Sequence, residues 1–365
     1  MKRRLFLLSS SASAVATALT ACGGGGGGAA TEAASGSVGS TATGSSVGGA
    51  TAATTAVTSA ADAPAATTTA TTSTTTSAST TDTTAQPATQ ASTSATSASG
   101  GLPAKILGCY FTAWDTSYPI TSVPTDFNVI YLFNAQNGGT NSGDGSWTWP
   151  FASAVSSSQV QQVRQRGQKV ILTVGGAGLG FVYTNRTQST NCVNSIKSII
   201  SQIGGVDGVD FNNYEAGIVN AGNLAAMSTE MVWIAQQLRA TYGSTFAITS
   251  PPSPNDTYQQ SLMQAMHNAG VLTYAAPQFY DWSGFNAVGY ISNAINTWAA
   301  LLGESQVAVG LSANYSNGPA LSDCTREWAA IKAAHPNVRG MFCWSAQTNI
   351  SGGNSWGSTM KAALG

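Results

Sequence analysis

The sequence predicts a single α/β domain, a (β/α)8 TIM barrel formed by residues 102–365. The first observation is the length of this segment. Residues 102–365 contain no second linker, and a barrel of this kind typically has about 250 residues. The second is the repeated alternation of short apolar runs with amphipathic stretches, which indicates βα units around a parallel sheet. The third is that polar and aromatic residues gather where the apolar runs end, which is where such barrels carry functional residues.

Eight runs are predicted to be strands, and amphipathic stretches such as 227–242 and 257–269 are predicted to be helices between them. The predicted strands span residues 105–111, 128–134, 169–174, 208–211, 247–250, 274–279, 307–311 and 340–344. Eight such units close into a barrel, so we expect the functional side chains at the carboxyl ends of the strands.

The first 22 residues are predicted to be an export signal rather than part of the fold. Basic residues at positions 2–4 precede a short apolar run at 5–8 and then small residues, as in bacterial signal peptides. The apolar run is too short to span a bilayer. Leu19-Thr20-Ala21-Cys22 resembles a lipoprotein cleavage box, which predicts a lipid on Cys22 and anchors the exported barrel to a bacterial membrane, facing the periplasm or the exterior. The alternative is a plain secretion signal with an incidental cysteine.

Residues 23–101 consist almost entirely of Gly, Ser, Thr and Ala. Such a segment contains too little apolar surface to offset its chain entropy, so we predict a disordered tether. As a flexible coil it would span about 50 Å on average, which holds the barrel away from the membrane.

Composition argues against several function classes. The chain carries 14 basic and 15 acidic residues, and it has no basic cluster of the kind that binds nucleic acid. Its two histidines, His267 and His335, lie away from the strand ends, which argues against a Ser-His-Asp triad or a zinc site. The glycine-rich segment 176–180 lacks the full spacing of a dinucleotide-binding loop. We expect neither a cofactor nor a metal, and we expect a monomer.

Four cysteines lie in the predicted barrel: Cys109, Cys192, Cys324 and Cys343. An exported chain can form disulfides, and four cysteines allow three pairings. Cys109 and Cys343 belong to the first and last predicted strands, which are neighbours in a closed barrel, so they are the favoured pair. Two buried free thiols are the equal alternative.

Aromatic and amide side chains are frequent at the predicted strand ends. Aromatic rings stack on the C–H faces of a sugar, while its hydroxyls need directed polar partners, so this composition is typical of a carbohydrate site. Trp147, Trp149 and Trp282 are predicted to lie in loops on the same rim. The candidate substrate-binding residues are Tyr110, Phe133, Tyr214, Gln278, Asp281, Trp282 and Trp344.

The most informative segment is residues 206–215, at the end of the fourth predicted strand. Alternate side chains of a strand share a face, so Asp210, Asn212 and Tyr214 are expected to point the same way. Glu215 points to the other face unless the strand bulges. Acidic side chains at the end of a buried strand are costly to desolvate, and they are usually present for chemistry.

Motifs on four predicted strands together resemble glycoside hydrolase family 18, the family of chitinases and endo-β-N-acetylglucosaminidases. Thr173-Val174-Gly175-Gly176 is similar to the family's Ser-x-Gly-Gly, and Asp207-Gly208-Val209-Asp210 matches the start of its Asp-Gly-x-Asp-x-Asp-x-Glu signature. Gln278-Phe279-Tyr280-Asp281 corresponds to the sixth-strand motif, and Trp344 to the tryptophan at the floor of the sugar site. The resemblance covers the whole predicted barrel.

The resemblance implies substrate-assisted catalysis with retention of configuration. A glutamic acid protonates the glycosidic oxygen, and the substrate's own 2-acetamido carbonyl attacks the anomeric carbon, an exception to the scheme with two carboxylates. An aspartate two residues before the glutamate orients the acetamido group, assisted by a sixth-strand tyrosine that Tyr280 matches here. The acid must be protonated at working pH, which requires burial or a neighbouring carboxylate.

This chain departs from the family signature at two positions. Asn212 stands where the resemblance implies the orienting aspartate, and Tyr214 stands where it implies the glutamate. Glu215, one residue later, becomes the candidate acid if a bulge turns it inward. The candidate catalytic residues are Glu215, Asp210, Asp207, Asn212 and Tyr280, with both aspartates tuning the acid.

Two functions remain open. In the first, the domain is a glycosidase that cleaves β-1,4 linkages next to N-acetylglucosamine in chitin or a related glycan. In the second, the site has lost its acid, and the protein is a chitinase-like lipoprotein that binds glycans. The direction of the Glu215 side chain distinguishes them, because the acid must reach a sugar oxygen. For Asp207 and Asp281, purely structural hydrogen bonding is the alternative.

Overall fold

Eight parallel strands form the sheet that carries the fold. The computed structural model describes residues 101–137, 143–176, 178–212, 217–281, 284–313 and 318–365. The strands are β1 (Ile106–Thr112), β2 (Val129–Ala135), β3 (Lys169–Gly175), β4 (Gly208–Asn212), β5 (Ala247–Ser250), β6 (Tyr274–Ala275), β7 (Val309–Ser312) and β8 (Gly340–Trp344). Hydrogen-bonded neighbours follow the order β6-β5-β4-β3-β2-β1-β8-β7.

The two edges of this sheet meet beyond the short β6. Parallel bridges join Ala275 to Val307 and Gln278 to Gly310. The backbone N–H of Phe279 donates to the carbonyl oxygen of Gly310 over 2.8 Å. The sheet therefore curls into a barrel, and the prediction of a (β/α)8 barrel is confirmed.

Helices connect the strands on the outside of the sheet. They are α1 (Ser157–Gln165), α2 (Arg186–Gln202), α3 (Leu224–Tyr242), α4 (Thr257–Asn268), α5 (Tyr290–Leu302), α6 (Leu321–Ala334), α7 (Ala346–Ser351) and α8 (Ser355–Leu364). The fully described β1–β2 connection contains a 3-10 turn, Ile120–Ser122, in place of an α-helix. Among the described residues, no helix has both the length and the apolar character needed to cross a membrane.

Alternation along the strands divides the apolar side chains into two cores. The outer core lies between the sheet and the helices and includes Val209 and Phe211 of β4. The inner core fills the barrel and is rich in aromatic rings. Its members are Ile106, Tyr110, Val129, Tyr131, Phe133, Ile171, Ala247, Tyr274, Ala276, Tyr280, Ala308 and Phe342. Asp210 lies between Val209 and Phe211 in the sequence, so alternation directs its side chain into the interior.

The observed strands lie close to the predicted ones, and β5 and β8 have the predicted bounds. The sixth strand is shorter than predicted, because its ladder ends at Ala275 rather than at 279. Pro277 has no N–H to donate to a neighbouring strand. Gln278 still donates its N–H to the carbonyl oxygen of Pro252 over 3.0 Å, so the chain stays close to β5 without a regular ladder.

Two tryptophans predicted on the rim are buried instead. Trp147 and Trp149 belong to the outer core. The Trp147 ring nitrogen donates to the Tyr183 hydroxyl over 2.7 Å, and its backbone N–H donates to Ser195 of α2 over 3.0 Å. The prediction that these two rings border a sugar site is therefore wrong, since both are used in packing.

All four cysteines of the barrel are buried free thiols. Cys109 and Cys343 are direct partners in the register of β1 and β8, as predicted for neighbouring strands. Burial raises the pKa of both thiols above the ordinary value, which keeps them protonated. Of the two alternatives left by the sequence, the structure contains the free thiols.

A buried ion-pair network holds the amino end of β4. Asp207 accepts hydrogen bonds from Arg164 Nε over 3.2 Å and from the backbone N–H of Val170 over 3.0 Å. Lys169 Nζ lies 3.7 Å from the same carboxylate. The network joins α1 and β3 to β4, and two cations offset the buried charge.

We expect Asp207→Asn to destabilise the domain by about 3 kcal/mol, because it leaves partly buried cations without their counter-charge. Urea denaturation measures the free energy of unfolding. Asp323→Asn is the matched control, since Asp323 pairs with the more exposed Arg326 over 2.5 Å on α6 and should cost less than about 1 kcal/mol. Equal losses in the two variants would contradict the structural role of Asp207.

Candidate active site

Asp210 lies inside the barrel and is held by hydroxyl groups from three strands. Its Oδ2 accepts hydrogen bonds from Tyr110 Oη on β1 over 2.7 Å and from Thr173 Oγ1 on β3 over 3.2 Å. Its Oδ1 accepts a hydrogen bond from Thr249 Oγ1 on β5 over 2.7 Å. Because β3 and β5 flank β4 and β1 lies across the interior, the three donors meet only when the sheet is curled.

Burial and hydrogen bonding act on this carboxyl group in opposite directions. Burial disfavours the ionised form and is the larger effect, so the pKa of Asp210 rises from 3.8 to about 6. Hydrogen bonds from Thr249, Tyr110 and Thr173 lower the pKa, because they stabilise the carboxylate. Asp210 therefore changes its charge close to neutral pH.

Two further tyrosines, Tyr131 of β2 and Tyr274 of β6, lie in the barrel interior with Tyr110. The hydroxyls of Tyr131 and Tyr274 hydrogen-bond to each other, and the Tyr131 ring lies 4.9 Å from the ring of Tyr110. Burial raises the pKa of all three phenols, so they stay neutral. The Arg339 guanidinium lies 5.4 Å from the centre of the Tyr274 ring. Aromatic side chains thus fill the barrel interior next to Tyr110.

Four aromatic residues line the carboxyl end of the barrel and are called here the aromatic platform: Trp114, Phe133, Tyr280 and Trp344. Tyr280 stacks on Trp344 with 6.2 Å between ring centres and 20° between planes, and Phe133 meets Trp344 edge-on at 5.0 Å. Trp114 lies 5.3 Å from Phe133 and 6.2 Å from Trp344, and it is 46% exposed. A partly exposed surface of this kind can stack on sugar rings.

Asn212, the last residue of β4, lies beside this platform. Gly176 has a φ of +83°, and a Cβ atom there would lie 2.5 Å from the Phe133 ring and 2.9 Å from Asn212 Nδ2. Glycine is therefore required at this position, which explains the second glycine of the Thr173–Gly176 motif. The close approach brings the Asn212 amide next to the Phe133 ring.

Most of the predicted site residues that the structure describes gather at this end of the barrel. These are Tyr110, Phe133, Asp210, Asn212, Tyr280 and Trp344. Gln278 lies on the segment after β6, where its Nε2 donates to the Pro251 carbonyl oxygen over 2.6 Å. Asp281 follows with a φ of 68°, a left-handed conformation that is uncommon outside glycine. Glu215, Tyr214, Trp282 and Cys22 lie outside the described residues.

Asp207 does not join this group. It pairs with Arg164 and Lys169 at the amino end of β4, whereas Asp210 bonds to hydroxyls in the barrel interior. This placement favours the structural alternative for Asp207.

The two histidines have other partners. His267 hydrogen-bonds to Gln306, and His335 Nδ1 lies 3.1 Å from Glu304 Oε1. Within the described ranges, no group of three or more His, Cys, Asp or Glu residues is placed to hold a metal ion.

Thr249 and Trp114 are candidate site residues that the sequence patterns did not single out. Thr249 follows the inward-facing Ala247 by two positions on β5, so strand alternation alone would place it in the interior. Trp114 lies two positions beyond the end of β1, which is the strand-end signal that identified Trp344. Strand alternation could therefore have identified Thr249 from the sequence, and position at a strand end could have identified Trp114.

The barrel has the fold of solved chitinase structures. A putative chitinase A from Streptomyces coelicolor is similar with a TM-score of 0.61 and 21% identity, covering 72% of this chain and 98% of that chain. A family GH18 chitinase from Chromobacterium violaceum has a TM-score of 0.60 and 19% identity, with 72% and 84% covered. A chitinase-like agglutinin from Robinia pseudoacacia has a TM-score of 0.53 and 16% identity, with 71% and 99% covered. No protein-family model matches the sequence, and no curated protein is significantly similar.

Asp210 makes the stability of the domain depend on pH. Between pH 3.8 and about 6 the folded state keeps a proton that the unfolded state has lost, so the free energy of unfolding falls as the pH rises. Relative to Asp210→Asn, we expect the wild type to lose about 3 kcal/mol between about pH 3 and pH 7. Urea denaturation of both proteins across this range measures the difference. Parallel stability curves would contradict a raised pKa for Asp210.

Proposed function

We propose that the barrel is a glycoside hydrolase that cleaves β-1,4 linkages next to N-acetylglucosamine, in chitin or a related glycan. The observation that carries this proposal is the meeting of a buried carboxyl group, Asp210, with the aromatic platform at one end of the barrel. Burying a carboxyl group costs free energy in folding. A role in binding or catalysis therefore explains the presence of Asp210 better than a purely structural role does. The fold shared with solved chitinases supports the same proposal.

In the proposed reaction, Glu215 is the acid. Its proton passes to the glycosidic oxygen as the bond from that oxygen to the anomeric carbon breaks, and the 2-acetamido carbonyl oxygen of the substrate bonds to the same carbon. Water then attacks the anomeric carbon, the bond to the acetamido oxygen breaks, and Glu215 takes the proton of the water. Trp344 would support the sugar ring, while Tyr280 and Asn212 would hydrogen-bond to the acetamido group.

The second candidate function is glycan binding without turnover. Asn212 favours it, because an amide can hydrogen-bond to the acetamido group but cannot offset a positive charge that develops there. The similarity to a chitinase-like agglutinin supports it as well. Both functions need the aromatic platform, so the acid distinguishes them.

The proposal extends to the location of the protein. Residues 1–22 resemble an export signal with a lipoprotein box, which supports export and a lipid anchor on Cys22. The tether of residues 23–101 would then let a monomeric barrel reach a polysaccharide outside the cytoplasm.

The full mature chain is expected to release fragments from chitooligosaccharides, and Glu215→Gln is expected to lower the rate at least about 100-fold, because it removes the acid. Chromatography measures fragment release, and calorimetry measures oligosaccharide binding, which should persist. Glu304→Gln is the control, since Glu304 lies before β7, at the opposite end of the barrel, and should leave the rate unchanged.

Unchanged turnover in Glu215→Gln would exclude Glu215 as the acid. Oligosaccharide binding by the wild type with no fragment release would instead establish the second candidate function.

Trp114→Ala is expected to weaken chitooligosaccharide binding about tenfold, because it removes a half-exposed ring from the aromatic platform. Titration calorimetry measures the affinity. Tyr258→Ala is the matched control, since Tyr258 is 39% exposed on α4 in the outer helix layer, and its loss should not change the affinity. Wild-type affinity in Trp114→Ala would remove this ring from the proposed site.

A further inference from the structure

Two adjacent hydroxyl residues of β5 bond to different parts of β4. Thr249 Oγ1 donates to the carboxylate of Asp210 over 2.7 Å, whereas Ser250 Oγ donates to the backbone carbonyl oxygen of Phe211 over 2.9 Å. Asp210 and Thr249 are also direct partners in the strand register. Substitutions of Thr249 and of Ser250 therefore allow the loss of a bond to the carboxylate to be compared with the loss of a bond to the backbone.

Among the described residues, hydroxyl groups rather than cations stabilise the carboxylate of Asp210. Within the described part of the chain, no basic side chain lies within 4.0 Å of it, whereas Asp207 has two such partners. Neutral hydroxyl groups stabilise the ionised form instead. Two of them, from Tyr110 and Thr173, donate to Oδ2, and Thr249 is the hydroxyl that donates to Oδ1.

We propose that Thr249 is a positioning residue that keeps Asp210 ionised and fixed in direction, so that Asp210 supplies the negative charge that Asn212 lacks. Asn212 is the next inward position along β4, about 7 Å further toward the carboxyl end. The inference rests on the proposed hydrolysis, because the charge matters where the substrate becomes cationic. A carboxylate at this distance interacts more strongly with such a cation through the barrel interior than through water.

Asp210, rather than a neighbouring titratable group, is expected to change its ionisation when the Thr249 hydroxyl is removed. The titratable groups that interact with Asp210 are Tyr110 of β1, Tyr131 of β2 and Tyr274 of β6. Tyr280, after β6, acts on Tyr110, and Arg339, before β8, acts on Tyr131 and Tyr274. Burial raises the pKa of Tyr110, Tyr131 and Tyr274, so these phenols remain neutral while Asp210 ionises. Loss of the Thr249 hydroxyl would leave Oδ1 buried without this donor, which favours the protonated form of Asp210.

Carbon-13 NMR of the full chain, with labelled aspartate carboxyl carbons, measures the pKa of Asp210, and Asp210→Asn identifies its signal. Thr249→Val removes the hydroxyl with little change in shape, and we expect the pKa to rise by about one to two pH units. Thr249→Ser retains the hydroxyl, and Ser250→Ala removes the neighbouring hydroxyl, which donates to the backbone carbonyl oxygen of Phe211. In both we expect the pKa to stay within about 0.5 unit of the wild type.

The pH profile of kcat/KM on a chitooligosaccharide provides the second measurement. The acid limb of this profile should move to higher pH in Thr249→Val, by the same shift that NMR records for the pKa of Asp210. In Thr249→Ser the acid limb should stay at the wild-type pH. An unchanged Asp210 pKa in folded Thr249→Val would overturn the role of Thr249. A raised pKa with an unmoved acid limb would overturn the role of the Asp210 charge.

Failure of the proposed hydrolysis gives a different result. If the wild type releases no fragments, hydrolysis and the role of the charge are both overturned, while the NMR shift still decides whether Thr249 controls the ionisation of Asp210.

Discussion

The buried carboxyl group of Asp210 sets the strongest constraint on the interior of this barrel. Its two oxygens are satisfied by hydroxyls that come from β1, β3 and β5, so β4 must lie in register with both neighbours and across from the first strand. Burial still has the larger effect, and a pKa of about 6 reflects the cost that remains. A group retained at such a cost is typical of a functional site.

Asp207 and Asp210 show how position on a strand decides what a carboxylate can do. At the amino end of β4, Asp207 is neutralised by Arg164 and Lys169, which stabilises the fold and cancels the field of its charge. In the interior, the described partners of Asp210 are neutral hydroxyls, which stabilise its charge without cancelling it. An uncancelled negative charge can act on a substrate that becomes cationic, and a neutralised one cannot.

The aromatic platform and the carboxylate have separate tasks in the proposed function. Tyr280 and Phe133 both pack against Trp344 at the carboxyl end, and Trp114 extends the apolar surface outward. In that function, these rings would decide where a sugar binds. Whether a bound sugar is cleaved depends on the acid and on how charge is supplied near Asn212. A single barrel can therefore support either hydrolysis or binding with little change to its fold.

The sequence by itself determined the barrel and the approximate bounds of its strands, and it identified Asp210 and Trp344 as candidate site residues. These follow from length, from the period of two along a strand, and from the gathering of polar and aromatic residues at strand ends, all of which are local properties of the chain. Only the tertiary structure decided that Thr249 meets Asp210, that Asp207 belongs to an ion-pair network, and that Trp147 and Trp149 are buried. The physical reason is that each of these contacts joins residues far apart in the sequence, so it is set by strand register and by packing between elements rather than by any local pattern.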